Sequence, residues 1–186
     1  MRLIVISDTH GSLSAWKRVE PLLKDADDVV HLGDVLYHGP RNPLPEGYNP
    51  GELARLLKET SITFVRGNCD ADVDLIVLGR EDMPRRVLKC LENLRVFCLH
   101  GDSDLEEAVR LSRVENWQVV AYGHTHIPEI RLLEKGGYLF NPGSLSLPKG
   151  GYPPSFGEIE ICENTISLRV RDVVNLSVLF EEKIEL

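Results

Sequence analysis

No stretch of this 186-residue chain is both long and apolar enough to span a bilayer; its apolar runs are all strand-sized. The first of them turns polar at Ser7 and charged at Asp8, too early for the apolar core of a signal peptide. Basic residues are in the minority. With 21 Lys and Arg against 29 Asp and Glu the net charge is −8, so the chain offers no basic face for a long nucleic acid. A phosphate-bearing substrate would need a local source of positive charge, and a metal ion is one. Cysteine is sparse, and Cys69, Cys90, Cys98 and Cys162 form no CxxC pair, which excludes zinc-finger and thioredoxin patterns. Reduced thiols in a cytoplasmic protein are the expectation. No repeat, low-complexity tract or linker divides the sequence, and its length predicts a single domain over residues 1–186 with a sizeable core.

What is present is a series of short, β-branched runs, each halted by a polar residue. "LIVIS" (3–7) stops at Asp8, "VVHLG" (29–33) at Asp34, "ITFVRG" (62–67) at Asn68, "VFCL" (96–99) at His100 and "VVAYG" (119–123) at His124. Such runs read as strands buried on both faces. Helical patterns lie between them over 13–25, 51–58 and 104–115, with Pro21 expected to end or kink the first. Trp16 reads as core, "DADD" (25–28) as a solvated turn, and Asp102 and Asp104 as caps of the third helix. Strand–helix alternation predicts a mainly parallel sheet with right-handed crossovers. After residue 128 the pattern changes. "EIRLLEKGGYLF" reads as a hairpin around Gly136–Gly137, and "GEIEI" and "ISLRV" as an antiparallel pair around Glu163–Asn164. A second, antiparallel portion packed on the first predicts two sheets with helices outside.

Ligands of open α/β sheets bind beyond the carboxyl ends of strands, and here five such ends carry oxygen or imidazole donors. "SDTH" sets Asp8 and His10 two residues apart, and "GHTH" does the same for His124 and His126; extended backbone would point each pair one way. Glycines at 11, 33, 67, 101 and 123 allow tight turns beside them. Asp8, His10, Asp34, Asn68, His100, His124 and His126 are too many donors for one ion and suit two that share a carboxylate. Such an ion pair would polarise a phosphoryl group and ionise a water between them. His31, inside a strand, reads as a hydrogen-bonded core residue. His38 and Arg41 lie in a long Pro/Gly-rich loop (37–50) and are candidate substrate contacts, with Lys149 of "PKGG" behind them.

The blocks "DTHG", "GDVL", "GNCD", "HGD" and "GHTH", in this order, resemble the motifs of the calcineurin-like metallophosphoesterases, and "NPGS" (141–144) extends the pattern. The loops "HGPRNPLPEGY" and "PKGG" are similar to those of the small prokaryotic YfcE-type phosphodiesterases within that family. The resemblance implies a four-layer α/β/β/α sandwich, two mixed sheets flanked by helices, with a dimetal site at the strand C-terminal ends. It implies that Asp8, His10 and His126 bind one ion and Asn68, His100 and His124 the other, with Asp34 bridging. Asn68 and His100 then also face the reacting phosphate. Many family members have a histidine where this chain has Cys69, placed to protonate the leaving group. A thiol matches neutral pH less well, so Cys69 is expected to be a weak helper or a bystander, not a ligand or nucleophile. Asp70 is expected to orient a neighbouring group from behind.

The function expected is hydrolysis of a small phosphodiester by direct attack of metal-bound hydroxide, with two divalent ions, manganese foremost and zinc, iron or nickel also suited. Neither a long nucleic acid nor a membrane is an expected partner, and a dimeric or tetrameric homo-oligomer is compatible. The alternatives are a non-catalytic protein-binding scaffold of the same fold, like a retromer subunit, and a phosphomonoesterase or nuclease. Seven competent donors count against the scaffold, and the missing histidine and acidic surface against the other two.

Overall fold

The computed structural model describes residues 1–134 and 136–185. In chain order they form β1 (Arg2–Ile6), α1 (Leu13–Val19) running into a 3-10 turn (Glu20–Leu23), β2 (Asp28–His31), α2 (Pro50–Lys58) and β3 (Thr63–Phe64). Then come α3 (Asp72–Leu78), β4 (Arg86–Leu91), β5 (Leu94–Leu99), α4 (Leu105–Ser112) and β6 (Val119–Ala121). The remainder is β7 (Glu129–Leu132), β8 (Tyr138–Asn141), β9 (Ser155–Cys162), β10 (Thr165–Asp172) and β11 (Val178–Glu185). One sheet has the order β11-β10-β9-β1-β2-β3 and the other β4-β5-β6-β8-β7.

The doubly apolar strands explain the layering. In β1, Leu3 and Val5 face the core between the sheets, while Ile4 and Ile6 face a second core with Trp16, Val19, Leu53 and Leu57 of α1 and α2. In β5, Val96 and Cys98 join the inter-sheet core, whereas Phe97 and Leu99 pack outward near Ala108 of α4. Each sheet is thus apolar on both faces, and each buried Leu, Ile or Val contributes roughly 1.5–3 kcal/mol. The result is helices, sheet, sheet, helix: the expected four layers.

The parallel strands do not share one sheet. β1, β2 and β3 pair in parallel in the first, and β5, β6 and β8 in the second. Nor do the antiparallel strands form a sheet of their own. β9–β11 extend the first sheet from β1, and β7 borders β8 in the second. Periodicity reports that a strand is buried on both faces but not which neighbour it pairs with. The helix from residue 13 ends at Val19, because Pro21 converts the following turn to 3-10 geometry. The third helix begins at Leu105 with Asp104 at its N-cap position, as expected, but the Asp104 side chain makes no capping bond and accepts from Arg86 Nε at 2.7 Å instead, and Asp102, outside the cap, lies 3.6 Å from Arg85. Helix α3 was not legible in the periodicity, although Asp72 and Asp74 in its first turn and left-handed Gly79 after its last residue mark its ends. No helix among the described residues is long and apolar enough to cross a membrane.

Candidate metal centre

The carboxyl ends of β1, β2 and β3 and of β5 and β6 open on the same side of the sandwich, and their loops bring the predicted donors together. Asp8 and His10 do not converge through extended backbone. Both, with Asp34, His124 and His126, have positive φ between 47° and 62°. These five are among nine non-glycine residues in that region among the described ones, a conformation that costs of order 1 kcal/mol or more per residue and concentrates where surrounding structure enforces it. The left-handed turns, rather than strand alternation, aim paired side chains at one point. Glycine is required where the loops pass closest: a Cβ at Gly123 would run into Ser7 Oγ and lie 2.9 Å from Asp8 Oδ2, and one at Gly67 would collide with the Asp34 carboxylate.

The hydrogen-bond pattern fixes what each imidazole presents. His10 Nδ1–H donates to the Tyr37 carbonyl at 2.8 Å, His126 Nδ1–H to the Leu147 carbonyl at 2.6 Å, and His100 Nδ1–H to the Leu32 carbonyl at 2.8 Å. A carbonyl can only accept, so in each neutral ring the Nε2 lone pair is left for the interior. His10 Nε2 and His126 Nε2 lie 3.2 Å apart, and Asp8 Oδ1 lies 3.6 and 3.3 Å from them, buried without a hydrogen-bond partner. Three electron-rich atoms thus face one another out of water. That is unfavourable unless a cation sits among them.

Asp34 stands between this group and the next. Its Oδ2 is 3.8 Å from His10 Nε2, and its Oδ1 is 3.5 Å from His100 Nε2, which in turn faces Asn68 Oδ1 at 3.1 Å. The His124 ring is edge-on to His100, with centroids 5.1 Å apart. Asp8, His10 and His126 can meet at one ion, and Asp8, Asp34 and His100 form a second such group. The donor set fits two divalent cations.

Electrostatics agree. Burial alone would raise the Asp8 carboxyl, but the stabilisation that His10 and His126 give its anion when they carry a proton outweighs this and holds it well below the usual range. Burial likewise opposes charge on His100 and His10, yet Asp34 pushes the former up to about 9 and Asp8 raises the latter. The cavity calls for positive charge. His31, by contrast, is driven by burial down to about 3; its Nδ1 accepts from Gly33 N–H at 3.1 Å and its Nε2–H donates to Thr9 Oγ1 at 2.8 Å. It is the neutral core residue expected.

The supporting residues hold backbone. Asp70 does not reach the donors: it accepts from the N–H groups of Asp34, Val35 and Gly67, each at 2.8 Å, and so clamps the loop that carries Asp34. Asn141 Nδ2 donates to the Gly123 carbonyl at 2.9 Å, and Ser144 Oγ to the Asp8 carbonyl at 2.8 Å, tying the "NPGS" turn to both histidine and aspartate loops. Ser7, whose hydroxyl donates to Asp8 Oδ2 at 2.6 Å, was missed by sequence reasoning; its place directly before Asp8 in "SDTH" was the signal.

A cavity of about 350 Å³ opens over the donors, walled by Asp34, Asn68, His124 and His126 and, opposite, by Arg41 and Lys149. The 37–50 loop therefore borders the site, and two cations overhang it. His38 does not join Arg41: it packs edge-on between Tyr37 and Tyr48, with ring centroids 4.8 and 5.3 Å away. Cys69 is closer than the sequence suggested, its sulfur lying within 4.8 Å of donor atoms of His10 and Asp34. Burial and the Asp34 carboxylate push its thiol up to about 12, and it accepts from Asn68 Nδ2 at 3.2 Å.

A family profile described as the calcineurin-like phosphoesterase superfamily domain matches residues 1–164. The chain is 43% identical to phosphodiesterase YfcE of Escherichia coli strain K12 over 166 residues, 86% of this chain and 88% of that one. It superposes on the solved structure of the phosphoesterase Yfce from E. coli with a TM-score of 0.83, covering 98% of each chain at 37% identity. Zinc-complexed Vps29 from Entamoeba histolytica matches with a TM-score of 0.65 over 100% of this chain and 99% of its own, at 20% identity, a likeness of fold alone.

Proposed function

This chain belongs to the calcineurin-like phosphoesterase superfamily, and on that premise we propose that it is a metal-dependent phosphodiesterase using two divalent ions, with manganese the first to test. The observation that carries the reading is the convergence of His10 Nε2, His126 Nε2 and the unpartnered Asp8 Oδ1, with Asp34 facing a second group beside it. Asp8, His10 and His126 would hold one ion and Asn68, His100 and His124 the other, with Asp34 placed to serve both. Bound there, the ions supply Lewis acidity toward the phosphoryl oxygens and bring a water to an ionisable state near neutral pH.

The chain's own residues do the rest. Carbonyls of Tyr37, Leu147 and Leu32 lock the three imidazoles with Nε2 inward, and Asp70 fixes the loop of the bridging carboxylate. Arg41 and Lys149 overhang the cavity and receive the phosphate's non-bridging oxygens. Cys69 delivers no proton of consequence, because burial and Asp34 hold its thiol far above neutral pH. A diester with a good leaving group needs no acid, whereas a monoester with a poor one forgoes help worth typically about 10²–10⁴-fold. A single-domain enzyme acting on a small diester, rather than on a long nucleic acid, fits the net charge of −8.

Methyl 4-nitrophenyl phosphate and 4-nitrophenyl phosphate share a leaving group. With manganese saturating, the diester should turn over faster, because the monoester brings a second negative charge beside Asp34 while neither nitrophenolate needs an acid, and metal analysis should return two ions per chain. One ion per chain, or faster monoester hydrolysis, would refute the proposal. The scaffold reading has only fold likeness behind it, at 20% identity, against a donor set with no missing member.

A further inference from the structure

A second cavity, of about 690 Å³, adjoins the metal centre on its α2–α3 side. Its walls are Tyr37, Tyr48, Ala54, Val73, Ile76 and Val77, and Cys69 lines both cavities. Helix α3 places Val73, Ile76 and Val77 at i, i+3 and i+4, one face, yet that face is turned to solvent: Ile76 is 77% exposed and Val73 59%. Tyr37, 43% exposed, joins it from the loop whose carbonyl anchors His10. Apolar side chains grouped in the open, rather than scattered, mark a binding surface. The volume is in the range of small-molecule sites, about 300–1,000 Å³.

Three charged residues border this groove: Arg55 and Asp74 are engaged, and Lys58 is exposed, with its methylenes lying beside Gly79. Arg55 is held by both carboxylate oxygens of Glu52 at 3.0 and 2.6 Å, and Asp74 accepts from Ala71 N–H at 2.8 Å. The middle is uncharged. An apolar occupant suits it, and because Cys69 lines both cavities, they meet there and one ligand can reach from the donors into the groove. Resting on the phosphodiesterase reading, we infer that the substrate class is a phosphodiester carrying one bulky apolar arm, ring-bearing or branched, that lies between α2 and α3. The phosphate sits over the metal donors beneath Arg41 and Lys149. Cys69 takes its meaning from this: a small, neutral thiol at the junction lets the arm pass where an imidazole would fill the gap.

The test compares benzyl with methyl 4-nitrophenyl phosphate, which share a leaving group, on the manganese-loaded protein. The benzyl ester should be preferred in kcat/KM by roughly ten- to a hundredfold, the worth of moving one such ring from water into an apolar groove. The preference should fall to within about twofold of unity in Ile76→Asn and Val73→Asn, and persist in Ile76→Leu. Calorimetry with dibenzyl and dimethyl phosphate, which needs no turnover, should show the same ratio of Kd. No preference in either assay, or one that Ile76→Asn leaves intact, overturns the inference. So does an Ile76→Asn variant that loses self-association in sedimentation while keeping its selectivity, because the groove is then a subunit interface. Failure to hydrolyse any diester would defeat the phosphodiesterase reading, while the calorimetric ratio still decides this one.

Discussion

The two halves of the candidate centre are built to different standards. Asp8, His10 and His126 are buried, two of them fixed by carbonyl hydrogen bonds and all three by left-handed backbone. In the other half only His100 is buried: Asn68 is exposed and His124 half-buried, and both line the open cavity, which His126 of the first half reaches only with a buried ring. A closed set of donors holds an ion firmly, whereas an open one leaves coordination positions for substrate. On the proposed two-ion reading the first half would serve as the structural anchor and the second as the working face, with the Asp34 carboxylate lying between them.

The sharpest test of that contrast removes what the halves share. Asp34→Asn should lower kcat by at least about 10³-fold and reduce bound metal at both positions, read by metal analysis after gel filtration. Loss of one ion alone would mean that Asp34 serves a single half. Next in size, His10→Ala should abolish the slowly exchanging ion, while His124→Ala should retain it and lose only the readily chelated one. Equal loss rates for both ions in the unmutated protein would erase the distinction. Asp70→Ala, which leaves every donor in place but frees the Asp34 loop, should cost about 10–100-fold in metal affinity or activity. Rescue by Asp70→Asn should be partial, since an amide oxygen can accept at most two of the three N–H bonds with its NH₂ facing the third.

The smallest effect concerns protons in place of metal. In chelated protein His100 is held up to about 9 against an ordinary 6.5. Folding then favours the protonated ring, so its contribution is complete below about pH 6.5 and disappears as pH rises through about 9. The Tm of chelated protein should fall over that window by a few degrees in scanning fluorimetry, and manganese should flatten the decline. A chelated Tm that rises over the same window would contradict the electrostatic account.

The sequence was most informative where chemistry is local. A donor at or just after the end of an apolar run stays near a strand end whatever the neighbours do, so seven candidates could be named, and the structure brings Asp8, His10, Asp34, His100 and His126 within reach of shared ions; His31 was legible as core. Two-faced apolar strands likewise required cover on both sides, which implied four layers. The division of parallel strands between two sheets was invisible, because periodicity measures burial and not partnership. Helix α3 is only two turns long and its periodicity did not stand out, and with it the exposed apolar face that Val73, Ile76 and Val77 build went unread.

Residue types and their order thus determined the donor inventory, the strand ends that carry it and the need for outside positive charge. Tertiary structure alone decided which atoms face inward. Carbonyls of residues 32, 37 and 147 choose the tautomer of three histidines, and left-handed turns at Asp8, His10 and His126 replace the strand alternation that spacing suggested. It also placed Arg41 over the site and His38 between two tyrosines, though they are three residues apart in one loop. The reason is one of range. A side chain's chemistry belongs to its own residue, but the direction in which it is presented depends on hydrogen bonds made across the whole chain, such as that from Ser144 to the Asp8 carbonyl 136 positions away.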